Sequence, residues 1–450
     1  MPISHLLSTT VIAATLALTV STSAAQSIDI LSGISAGRVA AISDGDYVAK
    51  TYADGVLAPV EAGHQDLLTV LSIADGKVSR ATLPISNSVT AAPEVLELTP
   101  DGRTAFVVER LGERPEGATT VRELPAGNRL FAVDLSDSAD PKLADTAEIG
   151  IHPEGLAVSP DGRRVAVVSN TADESLLQIV EFRDGEFGKV ARFNLAELGV
   201  TGAATGPRGG VTATNVQWHP SGRYLAANIN TQDRVAFFEI AEGGTGPALK
   251  LWGDVVETGR DPFVGRFTPD GRHYLTSNWG RDFAATTLDG RIPNAASTMS
   301  VIRLADPEAK AARHERLGTV DTDISAEGMA VSPDGRLVAT FNMRGTSFAP
   351  GSPRHGREAG ISLLAFDPQN GALEKLSDTS FEAVLPEGGT FDLTGDHLIA
   401  TSFEAQPDAA TGVGAGLAVF RVVKDGGAAR LESVGRVPLP HGVHHVDVAR

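Results

Sequence analysis

Residues 152–169 read HPEGLAVSPDGRRVAVVS, and the turn at their centre recurs along the chain. LTPDGR occupies 98–103, VSPDGR 158–163, WHPSGR 218–223, FTPDGR 267–272 and VSPDGR 331–336, with a degraded copy, DLTGDH, at 392–397. The aligned positions Pro100, Pro160, Pro220, Pro269, Pro333 and Thr394 stand 60, 60, 49, 64 and 61 residues apart. Each copy separates two short apolar runs rich in branched side chains. This is the pattern of a β-hairpin, with Asp-Gly forming the tight turn. A four-stranded unit returning at this period is the mark of a β-propeller.

One unit parses into four strands: GLAVS (155–159), RVAVVS (164–169), LLQIVEF (176–182) and KVARFNL (189–195), here called a, b, c and d. Equivalent units begin near Glu94, Asn215, Phe263, Glu327 and Gly388, which gives six. A seventh is split between the ends of the chain. GRVAAIS (37–43), DLLTVLSI (66–73) and KVSRATLP (77–84) supply its strands b, c and d, and HHVDVAR (444–450) supplies strand a. Zipping the last strand onto the first blade closes the ring and removes its free edges. The expectation is an all-β, seven-bladed propeller filling residues 26–450 as a single domain.

Residues 1–25 read as an export signal. The apolar stretch Val11–Val20 precedes STSAAQ, where Ser23 and Ala25 meet the small-x-small rule for cleavage before Gln26, although the start of the chain carries no Lys or Arg. No other apolar run is long enough for a membrane span. The expected location is the periplasm or the exterior. A net charge of −18 argues against nucleic acid and anionic membranes as partners, and the absence of cysteine excludes disulfides, thiolate catalysis and Cys-ligated zinc.

The a–b turns are uniformly short, whereas long insertions follow strand b at about 44–65, 109–128, 279–298, 343–360 and 402–415. Those b–c loops and the starts of all strands a share one face of a propeller. Rigidly mounted loops carry function, so this is the expected working face. Six residues before each turn proline stand Glu94, Glu154, Thr214, Phe263 and Glu327, with Glu387 offset by one and His444 in the closing strand; His152 and Asn215 lie beside them. Carboxylates gathered at a channel mouth suit general acid–base chemistry or a hard cation such as Ca²⁺, and they equally suit hydrogen bonds between duplicated blades. The insertions add Arg110, Arg281 next to Trp279, and Arg344, which suit a planar anion or internal ion pairs. His441, His444 and His445 do not share one side of a strand, so they form no closed metal set. The turn aspartates are structural.

The SPDGR-type hairpins, with HPSGRYLAANINTQDRVAFFEI at 219–240, resemble the bacterial YVTN and lactonase-like seven-bladed propellers, a superfamily that includes 6-phosphogluconolactonases and muconate-lactonising enzymes. The resemblance implies action on sugar-acid or dicarboxylate lactones through His, Glu and Arg side chains at the channel mouth. HPEGLAVSPDG is also similar to the PNGLAxSPDG segment of calcium-dependent gluconolactonases, with Glu154 in place of the Asn ligand. An exported chain does not suit a phosphogluconate substrate, which is cytoplasmic. Three readings stay open. One is a lactone hydrolase with Glu154, His152 and Glu327 as catalytic candidates and Glu94, Asn215, Arg110, Arg281, Trp279, Arg344 and His444 around the ligand. The second is a non-catalytic scaffold for a protein or small ligand. The third is a propeller with structural Ca²⁺ in its channel; no other cofactor is called for.

Overall fold

The computed structural model describes residues 27–450 apart from 89–93, 203–210, 244–245, 307–308, 310–311, 407–413 and 427. The signal-peptide reading of residues 1–25 falls outside the described residues. Seven antiparallel sheets form a ring, each running from an inner strand a to an outer strand d. The third blade comprises Pro153–Val158, Arg164–Asn170, Ser175–Arg183 and Glu186–Asn194, within three residues of the sequence reading. The first blade is closed as expected: Val443–Ala449 pairs with Arg38–Ser43, in register from Arg38↔Ala449 to Ile42↔His445. Leu67–Ala74 and Lys77–Pro84 complete it.

The repeated turn explains its own composition. In the third blade the Ser159 hydroxyl donates to Asp161 Oδ1 at 2.6 Å, and the same carboxylate accepts the Arg163 amide at 3.1 Å. Gly162 then takes φ +70°, a left-handed geometry that costs glycine nothing. Thr99–Asp101, Thr268–Asp270 and Ser332–Asp334 repeat the hydroxyl–carboxylate contact at 2.6–2.7 Å. In the degraded copy of the seventh blade Asp392 takes over, accepting from the Thr394, Asp396 and His397 amides.

Strands a are stitched blade to blade by side chains that accept a neighbour's amide. Asp447 holds Leu98 N at 2.8 Å, Glu97 holds Val158 N at 3.0 Å, and Asn215 holds Gly265 N at 3.3 Å. Strands b are almost wholly buried and alternate with apolar layers between blades, while strands d alternate toward solvent. The long segments after strand b lie at 44–66, 112–125, 279–295 and 343–357, with 403–406 and 414–415 the described parts of a fifth, all on the face where strands a begin. They differ from the expected bounds because strands b and c run up to three residues into them.

Candidate active site at the channel mouth

Each strand a enters the ring through a tight corner. His152, Asp261, Ser325 and Leu385 hold the equivalent place, two residues before Glu154, Phe263, Glu327 and Glu387, and all four adopt φ between +50° and +62°. His152 is therefore a corner residue, its amide bonded to the Gly127 carbonyl at 2.9 Å. The glycines after the glutamates permit backbone-to-backbone approach between blades. A Cβ on Gly328 would lie 2.2 Å from the Glu387 carbonyl oxygen, and one on Gly155 would lie 3.1 Å from that of Thr214. This close approach brings the glutamate side chains together at the mouth.

Two of the four glutamates are ion-paired. Glu154 forms a bidentate pair with Arg110, at 3.1 Å to Nε and 3.0 Å to Nη2. Glu94 is gripped across the channel by Arg266, a strand-a residue of the fifth blade, at 2.7 and 2.8 Å. Burial alone would raise the Glu94 carboxyl, but Arg266 and then His445 hold it below the usual range. Arg281 is bidentate on the buried Asp261 at 2.8 and 3.1 Å, with its guanidinium 4.0 Å from the Trp279 ring centre and 4.6 Å from that of Phe263. Trp279 itself is buried and donates to Ser325 Oγ at 2.7 Å, so it is the shelf on which Arg281 rests. Arg344 ties its loop to Asp323 of the fifth blade and Ser380.

Glu327 and Glu387 are different. Both are fully buried, and neither oxygen of Glu327 has a hydrogen-bond partner. Burial, the neighbouring Glu387 charge and Asp261 push the Glu327 carboxyl well above its ordinary range, with Arg281 opposing. Burial raises Glu387 to about 8, against the pull of the facing Tyr52 hydroxyl. Tyr52 comes from the 44–66 loop of the first blade, and burial and these two carboxyls keep its phenol protonated. The result is a pair of interacting buried acids, both shifted upward, beneath a phenol, which is the equipment of proton transfer.

The histidines do not converge. His441 Nε2 donates to the Tyr47 carbonyl (2.7 Å) and the ring stacks on His64 at 3.7 Å; His444 meets Asn87 Oδ1 at 3.2 Å, and burial lowers it to about 3. Among the described residues, three carboxylates bring ligand atoms within 4.8 Å of one another at Asp44, Asp46 and Asp66, outside the ring of glutamates. Donors already engage them: Ser88 Oγ on Asp46 at 2.6 Å, the Gly45 and Asn87 amides on Asp66 at 2.7 and 2.9 Å, and the Asp46 amide on Asp44 at 2.7 Å.

Sequence reasoning alone passed over Arg266 and Tyr52. Arg266 stands three residues before its turn proline, the spacing of Glu97 and Gln217, so the register of the repeat marks it as facing the channel. Tyr52 has no counterpart in the repeat.

The Glu154–Arg110 geometry yields a prediction. Both side chains are largely buried, at 10% and 17% exposed, so Glu154→Gln leaves a guanidinium unpaired and should cost about 3 kcal/mol in denaturant melts. If Glu154 is scaffold, the folded fraction keeps its activity; loss of activity without loss of stability would restore it as the base.

The fold is a seven-bladed β-propeller of four-stranded blades. Solved structures similar to this chain include the periplasmic gluconolactonase of Pseudomonas aeruginosa (TM-score 0.59, 19% identity, 92% of this chain and 99% of that one). A candidate 6-phosphogluconolactonase of Bacteroides uniformis matches with TM-score 0.59 and 16% identity over 91% and 99%. A protein of unknown function from Desulfotomaculum acetoxidans gives 0.57 and 14% over 85% and 96%. At these identities the likeness is one of fold. No protein-family model and no curated protein matches the chain. No helix among the described residues is long and apolar enough to cross a membrane.

Proposed function

We propose that this chain is an exported lactone hydrolase whose acid–base pair is Glu327 and Glu387, acting on an uncharged sugar-type lactone. The observation that carries the reading is that these two buried carboxyls alone among the mouth glutamates lack an arginine. Once the pair loses one proton, the resulting carboxylate takes a proton from water as its oxygen attacks the lactone carbonyl carbon. The remaining carboxylic acid returns a proton to the ring oxygen as the acyl C–O bond breaks, giving the open hydroxy acid. Tyr52, protonated and facing the pair, is placed to donate a hydrogen bond to the developing oxyanion.

The uncharged substrate follows from the arginines. Arg110, Arg266 and Arg281 are each spent on a carboxylate, so none of these three guanidinium groups is left to a phosphate or a second carboxylate. The leader-like residues 1–25 and the periplasmic setting named for the Pseudomonas neighbour support export. The test is a panel of uncharged, phosphorylated and dicarboxylate lactones. We expect kcat/KM to favour the uncharged members at least tenfold; preference for an anionic lactone would overturn the substrate class. A scaffold role is favoured by apolar side chains standing in solvent on the same loops, Val60 at 67% and Phe283 at 41% exposed, and it becomes the account if no lactone is turned over.

A further inference from the structure

Glu327 and Glu387 face a channel mouth yet have no exposed surface, and what covers them includes the loop after the first strand b. Within that loop, residues 50–56 form a self-contained turn. Thr51–Asp54 is one helical turn, ended by Gly55 at φ +71°, whose amide bonds back to Thr51 O at 2.8 Å. Thr51 Oγ1 donates to Val56 O at 2.6 Å, and the Val56 amide donates to Asp54 Oδ1 at 2.9 Å. The inner side of this turn presents Tyr52 to Glu387, while Lys50, Ala53 and Asp54 are exposed. It packs against a second one-turn helix, Leu288–Arg291, in the fifth blade's loop.

Beyond the first blade Tyr52 packs on the apolar cluster that includes Phe263 and Phe403, and the backbone hydrogen bonds that flank the turn are few among the described residues. Upstream, the Ala49 amide donates to Glu404 at 3.0 Å. Downstream, an isolated bridge pairs Val56 with Thr120, made by Leu57 N to Thr119 O at 2.9 Å and Val121 N to Gly55 O at 3.0 Å. Val56 is 39% exposed, so this bridge lies at the surface, where backbone hydrogen bonds exchange readily with water.

We propose that residues 50–56 are a lid that moves as a unit, releasing its bridge to Thr120 to admit ligand to the Glu327–Glu387 pair and returning Tyr52 over it on closure. The proposal rests on the reading of that pair as the reactive centre. A closing lid excludes water and strengthens every electrostatic contact beneath it.

The bridge offers a direct test. The hydrogen bonds flank Val56 and Thr120, which makes them a non-hydrogen-bonded pair with Cα atoms about 4.5 Å apart, within the range a disulfide spans. The chain contains no cysteine, so Val56→Cys with Thr120→Cys creates the only possible crosslink. Two readouts are taken on oxidised and reduced protein: turnover of an uncharged sugar lactone, and labelling of Glu327 and Glu387 by a neutral carbodiimide with an amine, located by peptide mass spectrometry.

We expect oxidation to slow both at least tenfold and dithiothreitol to restore them. Labelling equal in the two states would overturn the lid, whatever the turnover. Gated labelling without turnover in any form, wild type included, would keep the lid and overturn the hydrolase. Should the double variant fail to fold, Tyr52→Ala in the otherwise intact chain should speed labelling at least tenfold, and unchanged labelling would count against the lid.

Discussion

A chain ending at Pro440 should show no cooperative unfolding transition. The missing residues include the strand Val443–Ala449, which supplies the inner edge of the first blade. Its loss leaves the inner side of Arg38–Ser43 without its partner strand, and unpaired strand edges invite association with other chains. It also removes Val443 and Val446, both buried, whose burial is worth roughly 3–6 kcal/mol together. The Asp447 contact to Leu98 N, which joins the first blade to the second, disappears with them. The sum approaches the whole stability of a typical domain, about 5–15 kcal/mol. Calorimetry of the truncated chain, with and without a synthetic 441–450 peptide, checks this. A single transition within a few degrees of the full chain would show that the ring does not depend on its closing strand.

Glu387→Gln should remove activity and raise stability in alkaline solution at once. The folded carboxyl titrates at about 8, against an ordinary 4.5, because burial penalises its charge. Between those values the native protein keeps a proton that the unfolded chain has lost. Stability is therefore full below about pH 4.5 and falls as pH rises toward 8, by a few kcal/mol at most. Glutamine carries no such proton, so the variant should melt a few degrees above the parent at pH 8 and alongside it near pH 5. Its turnover should fall by about 10²–10⁴, the usual weight of a general acid–base group. In the parent, activity should rise with pH toward 8 as the pair yields its first proton. A variant that loses activity through disruption would instead melt lower at every pH.

The architecture was legible because a propeller repeats its turn. Ser159, Asp161 and Gly162 each do one job in one hairpin, and the same residue types return wherever that job returns. The closing strand could be read for the same reason, since VDVAR followed by GRVAAIS completes the repeat across the termini. The ring of glutamates was legible as positions but not as chemistry. Glu94 and Glu327 look alike in sequence, and what separates them is Arg266, 172 residues from Glu94 and on the far side of the channel. Glu154 is likewise settled by Arg110, 44 residues away in another blade. Which carboxyl keeps its charge depends on packing between blades, and a repeat does not encode that. Tyr52 lay further out of reach, because insertions have no register to align. Arg281 beside Trp279 suited either a planar anion or an internal ion pair; in the structure it pairs with Asp261 and rests on the Trp279 ring.

The most direct test of the central claim is hydrolysis of an uncharged sugar lactone by the wild type beside the Glu327→Gln, Glu387→Gln double variant, both shown by melting to be folded. The account predicts turnover by the wild type, climbing toward pH 8, and a rate no faster than spontaneous hydrolysis for the variant. Wild-type turnover at the spontaneous rate throughout, or a variant as fast as its parent, would contradict it.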